Sequence, residues 1–326
     1  MPSIKTIKQR IKSVKSTSQI TKAMEVVSAT KMRRSQEFAI RARPYAVASI
    51  ELLHNLLRRS PTRPALLKSR LVKKSALLVV TSDKGLAGAF NANVLRHAEE
   101  WHAQHPDSAI FTIGKKAREY FERRGVSLLE SYSEFGDFTE LSQTLPIADR
   151  MISGFLNNEW DEVDAVYTNF RTTLVQEATL KKILPVTEKG IQEVVAGILP
   201  RHGKYAQENS PRHADPSIDR EASRDSSASP QNDNITGHYN FEYQFEPSAN
   251  EILDVLVPQL IRLHIHHIIL ESNASEHSAR MIAMKNASDN AKDIITDLTL
   301  IYNKVRQAGI TRELTEITAG KEALEE

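Results

Sequence analysis

Read from Leu256 in alternating steps of four and three, the last third of the chain presents Leu256, Leu260, Leu263, His267, Leu270, Ala274, His277, Met281, Met284, Ser288, Ala291, Ile295, Leu298, Tyr302, Val305 and Gly309. Twelve of these sixteen positions are apolar, so one stripe persists through more than seven heptads. A helix from Asn250 to Glu316 would be a rod on the order of 100 Å long, more than a globular core can cover. Such a rod needs a second helix beside it. The N-terminal segment offers one, because Ile4, Ile7, Ile11 and Val14 recur at intervals of three, four and three. Beyond Val14 the spacing predicts a phase slip onto a second stripe, Ile20, Met24 and Val27, set among Ser18, Thr21, Ala23, Ser28 and Ala29, whose small size permits close approach. Pro44 disfavours helical geometry at Arg43, which predicts a break followed by more helix from Tyr45 to about Leu57. Pro258 predicts a kink near the start of the C-terminal helix.

Pairing the two ends leaves the middle of the chain as an insertion, and the middle alternates strand and helix. "SALLVVTS" (Ser75 to Ser82), "AIFTIG" (Ala109 to Gly114), "VSLLESY" (Val126 to Tyr132), "DAVYTNF" (Asp164 to Phe170) and "LVQEATLKKILPV" (Leu174 to Val186) read as strands. Between them Asn93 to Gln104, with Val94, Leu95, Ala98 and Trp101 on one face, Lys115 to Arg124, and Phe138 to Leu156 read as helices. Strands separated by helices argue for a mostly parallel sheet covered on both faces. The expected architecture is therefore α/β plus a long antiparallel coiled coil. Its parts are an N-terminal helix over residues 1–58, an α/β domain over 75–190, a disordered polar loop over 199–237 and a C-terminal helix over 246–318. The loop is assigned on composition, since "DREASRDSSASPQNDN" has almost nothing to bury.

Lys and Arg total 43 against 41 Asp and Glu, so overall charge gives no reason to expect a polyanionic partner. The distribution is uneven: between Met1 and Pro44 eleven basic residues face two acidic ones, a local balance of +9. These charges are not interleaved with aromatic residues for base stacking, so an acidic protein surface suits them better than nucleic acid. The absence of cysteine excludes disulfides, thiolate metal sites and Cys nucleophiles. No apolar run is expected to approach the roughly 18 to 20 residues of a membrane span, and "MPSIKTIKQR" lacks the apolar core of a secretory signal.

"TSDKGLAGAFN" (Thr81 to Asn91) stands where a nucleotide-binding protein keeps its phosphate loop, yet Gly85 and Gly88 fit neither the dinucleotide fingerprint nor the P-loop template. A strand-to-helix turn accounts for them, with Gly85 in a left-handed or tight conformation and Ala87 and Gly88 letting the helix pack close to the sheet. In "LHIHHI", His264 and His267 share a helix face, but no third ligand stands at metal-binding spacing, so both are expected as partly exposed helix residues, with His267 touching the seam. No catalytic constellation emerges from spacing, and no cofactor or metal is expected.

The stretches "ITKAMEVVSATKMRRSQ" (Ile20 to Gln36), "ARPYA" (Ala42 to Ala46), "TSDKGLAGAFN", "SEHSARMIAMKNASDNA" (Ser275 to Ala291) and "IYNKVRQAGITRELTEI" (Ile301 to Ile317) resemble, in order, the γ subunits of F-type ATP synthases. The resemblance spans the chain outside Leu199 to Gly237. It implies two terminal helices wound as a shaft with a Rossmann-like domain inserted between them, and a non-catalytic rotor that works between a ring of three α and three β subunits, the ε subunit and the membrane c-ring. One such subunit would serve each complex, peripheral at the cytoplasmic face of a bacterial inner membrane. By residue, the resemblance implies coupling contacts to β at Met24, Arg280 (with neighbouring Glu276), Arg306, Gln307, Thr311 and Glu313. It implies weaker basic contacts to the β lever at Lys22, Lys31, Arg33 and Arg34, and foot contacts to the c-ring at Tyr243 and Glu246. Departures from the family pattern are Pro258, the long polar loop and the acidic tail "GKEALEE".

Overall fold

A computed structural model describes residues 3–41, 48–49, 52–53, 55–58, 60, 63–135, 139–186, 246 and 248–325. Two helices dominate it, α1 (Ile4–Arg41) and α5 (Ala249–Glu325), the latter 77 residues long. They run antiparallel: a Cβ placed on Gly309 would lie 3.9 Å from Cδ1 of Ile4. The alternating stripe of α5 is the inner face, with Leu256, Leu270, Ala274, His277, Met284, Ser288 and Ala291 buried and Ile295, Leu298, Tyr302, Val305 and Gly309 half-buried.

On α1 the expected phase slip does not occur. Ile20 and Val27 are 60% and 51% exposed, while the buried or half-buried positions continue the first stripe through Ile7, Ile11, Val14, Ser18, Thr21, Ser28, Met32 and Ser35. Small hydroxyl side chains keep this seam narrow, and the Thr21 hydroxyl is satisfied within the helix, donating to the carbonyl of Ser18 at 3.1 Å. Pro44 and the polar loop 199–237 lie outside the described residues, although residues 48–49, 52–53 and 55–58 are helical. Pro258 lies within α5, which is helical on both sides of it.

The inserted domain holds five strands, β1 (Ser75–Val80), β2 (Ala109–Ile113), β3 (Glu130–Tyr132), β4 (Glu162–Phe170) and β5 (Gln176–Leu184), in the order β3-β2-β1-β4-β5. β1 pairs parallel with β2 and β4, with Ala76 opposite both Ala109 and Val163. β5 is antiparallel to β4, as the short connection Arg171 to Val175 requires. β3 is shorter than expected because Gly125, at φ +72, turns the chain and Val126 and Leu128 pack against the apolar layer before pairing begins at Glu130.

Three helices complete the domain, α2 (Phe90–Gln104), α3 (Lys115–Arg123) and α4 (Leu141–Leu156). A capping box between Glu140 and Gln143 starts α4 three residues later than the apolar pattern suggests. α2 and α3 cover one face of the sheet, packing Val94, Ala98, Trp101 and Phe121 on Leu77, Val79 and Ile110. On the other face Leu78, Val80 and Phe111 share a core with Ile147, Met151 and Phe155 of α4 and with Ile261, Ile265 and Ile269 of α5. The base of the long helix is thus a structural layer of the head. One 18-residue window of α5 is apolar enough to cross a membrane by length and composition, and 39% of it is buried within the fold.

Candidate functional site

The outer face of the paired helices carries most of the residues expected to act. On α1, Met24 is half-buried beside the seam, and Lys22 is exposed and bonded to Glu25 at 3.0 Å. Lys31 is half-buried, and Arg33 and Arg34 are exposed on the following turns. On α5, Arg306, Gln307, Thr311 and Glu313 are all exposed, and the Thr311 hydroxyl donates to the carbonyl of Gln307 at 3.0 Å. Arg306 and Glu313 lie two turns apart on one side, with Gln307 and Thr311 on the adjoining one. Apolar side chains stand among them. Ile310, Leu314 and Ile317 are 50%, 59% and 69% exposed, at helical spacing, where α5 continues beyond the start of α1. A single helix with an uncovered apolar stripe is marginal in water and suits a surrounding protein wall.

Arg280 is placed differently. Its side chain is only 9% exposed, and Nη2 donates to Glu276 Oε1 at 2.6 Å, to the carbonyl of Lys84 at 3.2 Å and to that of Gly85 at 3.3 Å. The guanidinium fork therefore fastens the loop from Thr81 to Asn91 onto the shaft. The Arg280 guanidinium is thus committed inside the chain, to Glu276 and to the loop.

Within that loop the left-handed residues are Leu86, at φ 64, and Gly88, at φ 56, and Gly85 is not among them. Gly88 faces the shaft rather than the sheet, and its positive φ rather than any lack of room favours glycine, since a Cβ there would only touch Ala283 at 4.0 Å. The polar groups of the loop are committed inside the fold. Thr81 Oγ1 donates to the carbonyl of Ile113, Ser82 Oγ to that of Lys84, and the Asp83 carboxylate accepts from the main-chain nitrogens of Lys115 and Glu134 at 2.9 Å each. Leu86 is left at the tip, 66% exposed.

The base of α5 carries buried titratable groups. Glu271 accepts hydrogen bonds from the Tyr167 hydroxyl and the Phe170 main-chain nitrogen, with Lys181 nearby, and burial pushes its carboxyl up to about 7. Burial and the charge of Lys181 hold His264 well below the ordinary imidazole range. His266 pairs with the Thr144 hydroxyl at 3.1 Å, and all three histidines are half-buried. Burial also raises Asp164 to about 6, although Trp101 Nε1 donates to it at 2.9 Å. Among the described residues no group of three His, Asp or Glu side chains is placed to hold a metal. Of the expected foot residues, Glu246 is exposed just before α5 and Tyr243 lies outside the described residues. The Arg280 clamp and the buried Glu271 are absent from the sequence reading, because spacing on α5 says nothing of which loop or strand meets it.

The ATP synthase family model matches residues 3–324. The ATP synthase γ chain of Roseiflexus castenholzii is 39% identical over the full length of both chains, and that of Geotalea daltonii is 40% identical over 99% of each. Among solved structures, the Euglena gracilis mitochondrial ATP synthase, in a structure of its OSCP, F1 and c-ring, contains a chain that superposes with a TM-score of 0.59 over 98% of this chain and 94% of its own, at 17% identity. A Tetrahymena thermophila central stalk and c-ring structure gives 0.54 over 82% of this chain and 99% of its own, at 20% identity. The last two are likenesses of fold.

Proposed function

This chain belongs to the ATP synthase γ-chain family, and from that premise we propose that it is the central-stalk rotor, coupling ion flow through the membrane ring to ATP synthesis. It makes and breaks no bonds itself. The observation that carries the reading is the pairing of α1 and α5 into a narrow two-helix shaft whose base is built into the sheet domain. Neither helix bends independently of the other, and a torque applied to the head passes into the shaft through a packed core rather than through a linker.

One such rotor turns inside a ring of three α and three β subunits, with the ε subunit and the c-ring at its foot, peripheral to the cytoplasmic face of a bacterial inner membrane. Its outline is one-sided: the head and the Leu86 loop sit on one side of α5. Rotation therefore presents a different surface to each β subunit, which favours one catalytic conformation after another by differential contact and so regulates ATPase activity and proton flow. Met24, Arg306, Gln307, Thr311 and Glu313 make coupling contacts. Lys22, Lys31, Arg33 and Arg34 meet an acidic lever, and Glu246 and Tyr243 serve the foot. The test is co-expression with α, β and ε subunits of a related bacterium: the chain should co-purify as one copy per three β and confer ATP-driven proton pumping on ring-containing membranes. Failure to assemble would reject the reading.

A further inference from the structure

The long helix carries a second stripe beside its seam. Ile261, His264, Ile268, Glu271, Ser275 and Ser278 recur in alternating steps of three and four, each one position after a seam residue. All but His264 are buried. The first part of this stripe is apolar, with Ile261 and Ile268 sharing a core with Leu78, Ala165 and Ile183 of the sheet. From Glu271 onward it is polar, and each of its three side chains bonds to the end of β4 or to the turn that leads into β5.

Ser275 Oγ donates to the carbonyl of Thr168 at 3.1 Å, and Ser278 Oγ to that of Thr173 at 2.7 Å. Gln176 Nε2 donates in turn to Ser278 Oγ at 3.3 Å and to the Thr173 carbonyl at 2.6 Å. Glu271 accepts from the Tyr167 hydroxyl and the Phe170 main-chain nitrogen, so five hydrogen bonds tie the row to one corner of the sheet. Three of the five end on main-chain atoms of Thr168, Phe170 and Thr173, which no rotamer change can move away. Apolar residues would seal the same interface without taking two hydroxyls and a carboxyl out of water. What they would not supply is direction. An apolar contact holds two surfaces together at many angles, whereas hydrogen bonds to fixed main-chain atoms are all satisfied at one. Register is the best-attested use of buried polar groups.

We propose that Glu271, Ser275 and Ser278 are positioning residues that set the angle of the head on the shaft. The apolar core beside them resists separation of α5 from the sheet, and the polar row resists twist. The functional consequence rests on the rotor reading: a joint that yields under load stores rotation instead of delivering it, so the row keeps head and shaft tip in phase.

Because the chain has no cysteine, Glu100→Cys on α2 and Thr296→Cys on α5 supply the only thiols, at exposed positions outside the row. Nitroxides on these thiols report the head-to-shaft distance in the full chain by pulsed electron double resonance. Ser275→Ala with Ser278→Ala removes three of the five bonds. The variance of the distance should therefore rise roughly twofold, and alanine, a strong helix former, should keep α5 folded. Ser278→Ala alone removes two bonds and should broaden the distribution less. Ser288→Ala is the control, because that hydroxyl is buried in the seam with no hydrogen-bond partner among the described residues. An unchanged distribution in both the single and the double variant, or equal broadening in Ser288→Ala, would overturn the proposal. In the complex with α, β, ε and the ring, the double variant should lose more proton pumping against an imposed gradient than ATP hydrolysis, and a parallel loss would also overturn it. Failure of the unsubstituted chain to assemble would instead reject the rotor reading and leave the distance measurement to decide the joint.

Discussion

Arg280, on the shaft, donates from Nη2 to the main-chain oxygen of Gly85, in the head, at 3.3 Å across 195 positions of sequence. The same guanidinium is ion-paired to Glu276 at 2.6 Å on a helix face that is almost dry. Arg280→Ala removes a buried charge from both sets of partners and leaves the Glu276 carboxylate without that ion pair. The expected cost is about 3 kcal/mol, measured by urea unfolding of the full chain. Amide exchange should rise most at residues 84–89, while β1 keeps its protection. Arg280→Lys should recover part of the stability, because an ammonium retains the charge but not the planar fork. A uniform loss of protection along α5 would refute the clamp.

How far such a contact is legible beforehand depends on its range. The α5 stripe is legible because sixteen positions repeat one physical demand, and the strands of the insertion are legible from short buried runs such as Ser75 to Val80. The α1 seam is misread beyond Val14 because its later positions are Ser18, Thr21, Ser28 and Ser35, whose value is small volume rather than hydrophobicity. A reading by apolar spacing turns instead to Ile20 and Val27, which face outward. From the sequence Gly85 is expected to be left-handed or tight; the left-handed residues are Leu86 and Gly88, and the Gly85 carbonyl accepts from a side chain nearly 200 positions away. Nothing local encodes that partner.

Gly154 gives a prediction of packing. It sits in α4 where a Cβ would fall 1.9 Å from Cζ2 and 2.2 Å from Cη2 of Trp160, a side chain 2% exposed that also donates from Nε1 to the carbonyl of Met151 at 3.1 Å. The indole cannot withdraw without breaking that bond and its edge-on contact with Phe111 at 5.5 Å. Gly154→Ala, usually helix-stabilising by about 1 kcal/mol, should here destabilise by about 3 kcal/mol. Unfolding in urea and a changed tryptophan emission of the native state would reveal it. Unaltered stability would mean the helix and indole separate freely.

The base of α5 makes stability depend on pH. Burial raises Glu271 from the ordinary 4.5 to about 7 in the folded chain, so the native state holds a proton that the unfolded state releases. That contribution is fully present below pH 4.5 and is lost as pH rises to about 7; it amounts to about 3 kcal/mol. Asp164, raised from 3.8 to about 6, acts in the same sense, whereas the depressed His264 costs stability as pH falls below 6.5. Glu271→Gln keeps an acceptor for Tyr167 and Phe170 and cannot ionise. Its unfolding free energy should decline less between pH 4.5 and 7 and exceed the wild-type value at pH 8. A slope equal to that of the wild type would show that Glu271 does not titrate in this window.

Arg306 separates folding from coupling. It is exposed on the seam-bearing helix, where removing its side chain uncovers little apolar surface, so Arg306→Ala should change the stability of the full chain by no more than about 0.5 kcal/mol. On the rotor reading, the same position, beside exposed Gln307, Ile310 and Glu313, offers a guanidinium that stays charged and can grip carboxylates of the surrounding subunits in more than one geometry as the shaft turns. Losing one such contact should lower coupled ATP synthesis by about tenfold, with assembly intact. The ratio of protons pumped to ATP hydrolysed in membrane vesicles is the decisive measurement, because a rotor that is merely unstable lowers both together. Coupling is the relation between the two, so the substitution should lower pumping more than hydrolysis, and a parallel fall would remove Arg306 from the coupling surface.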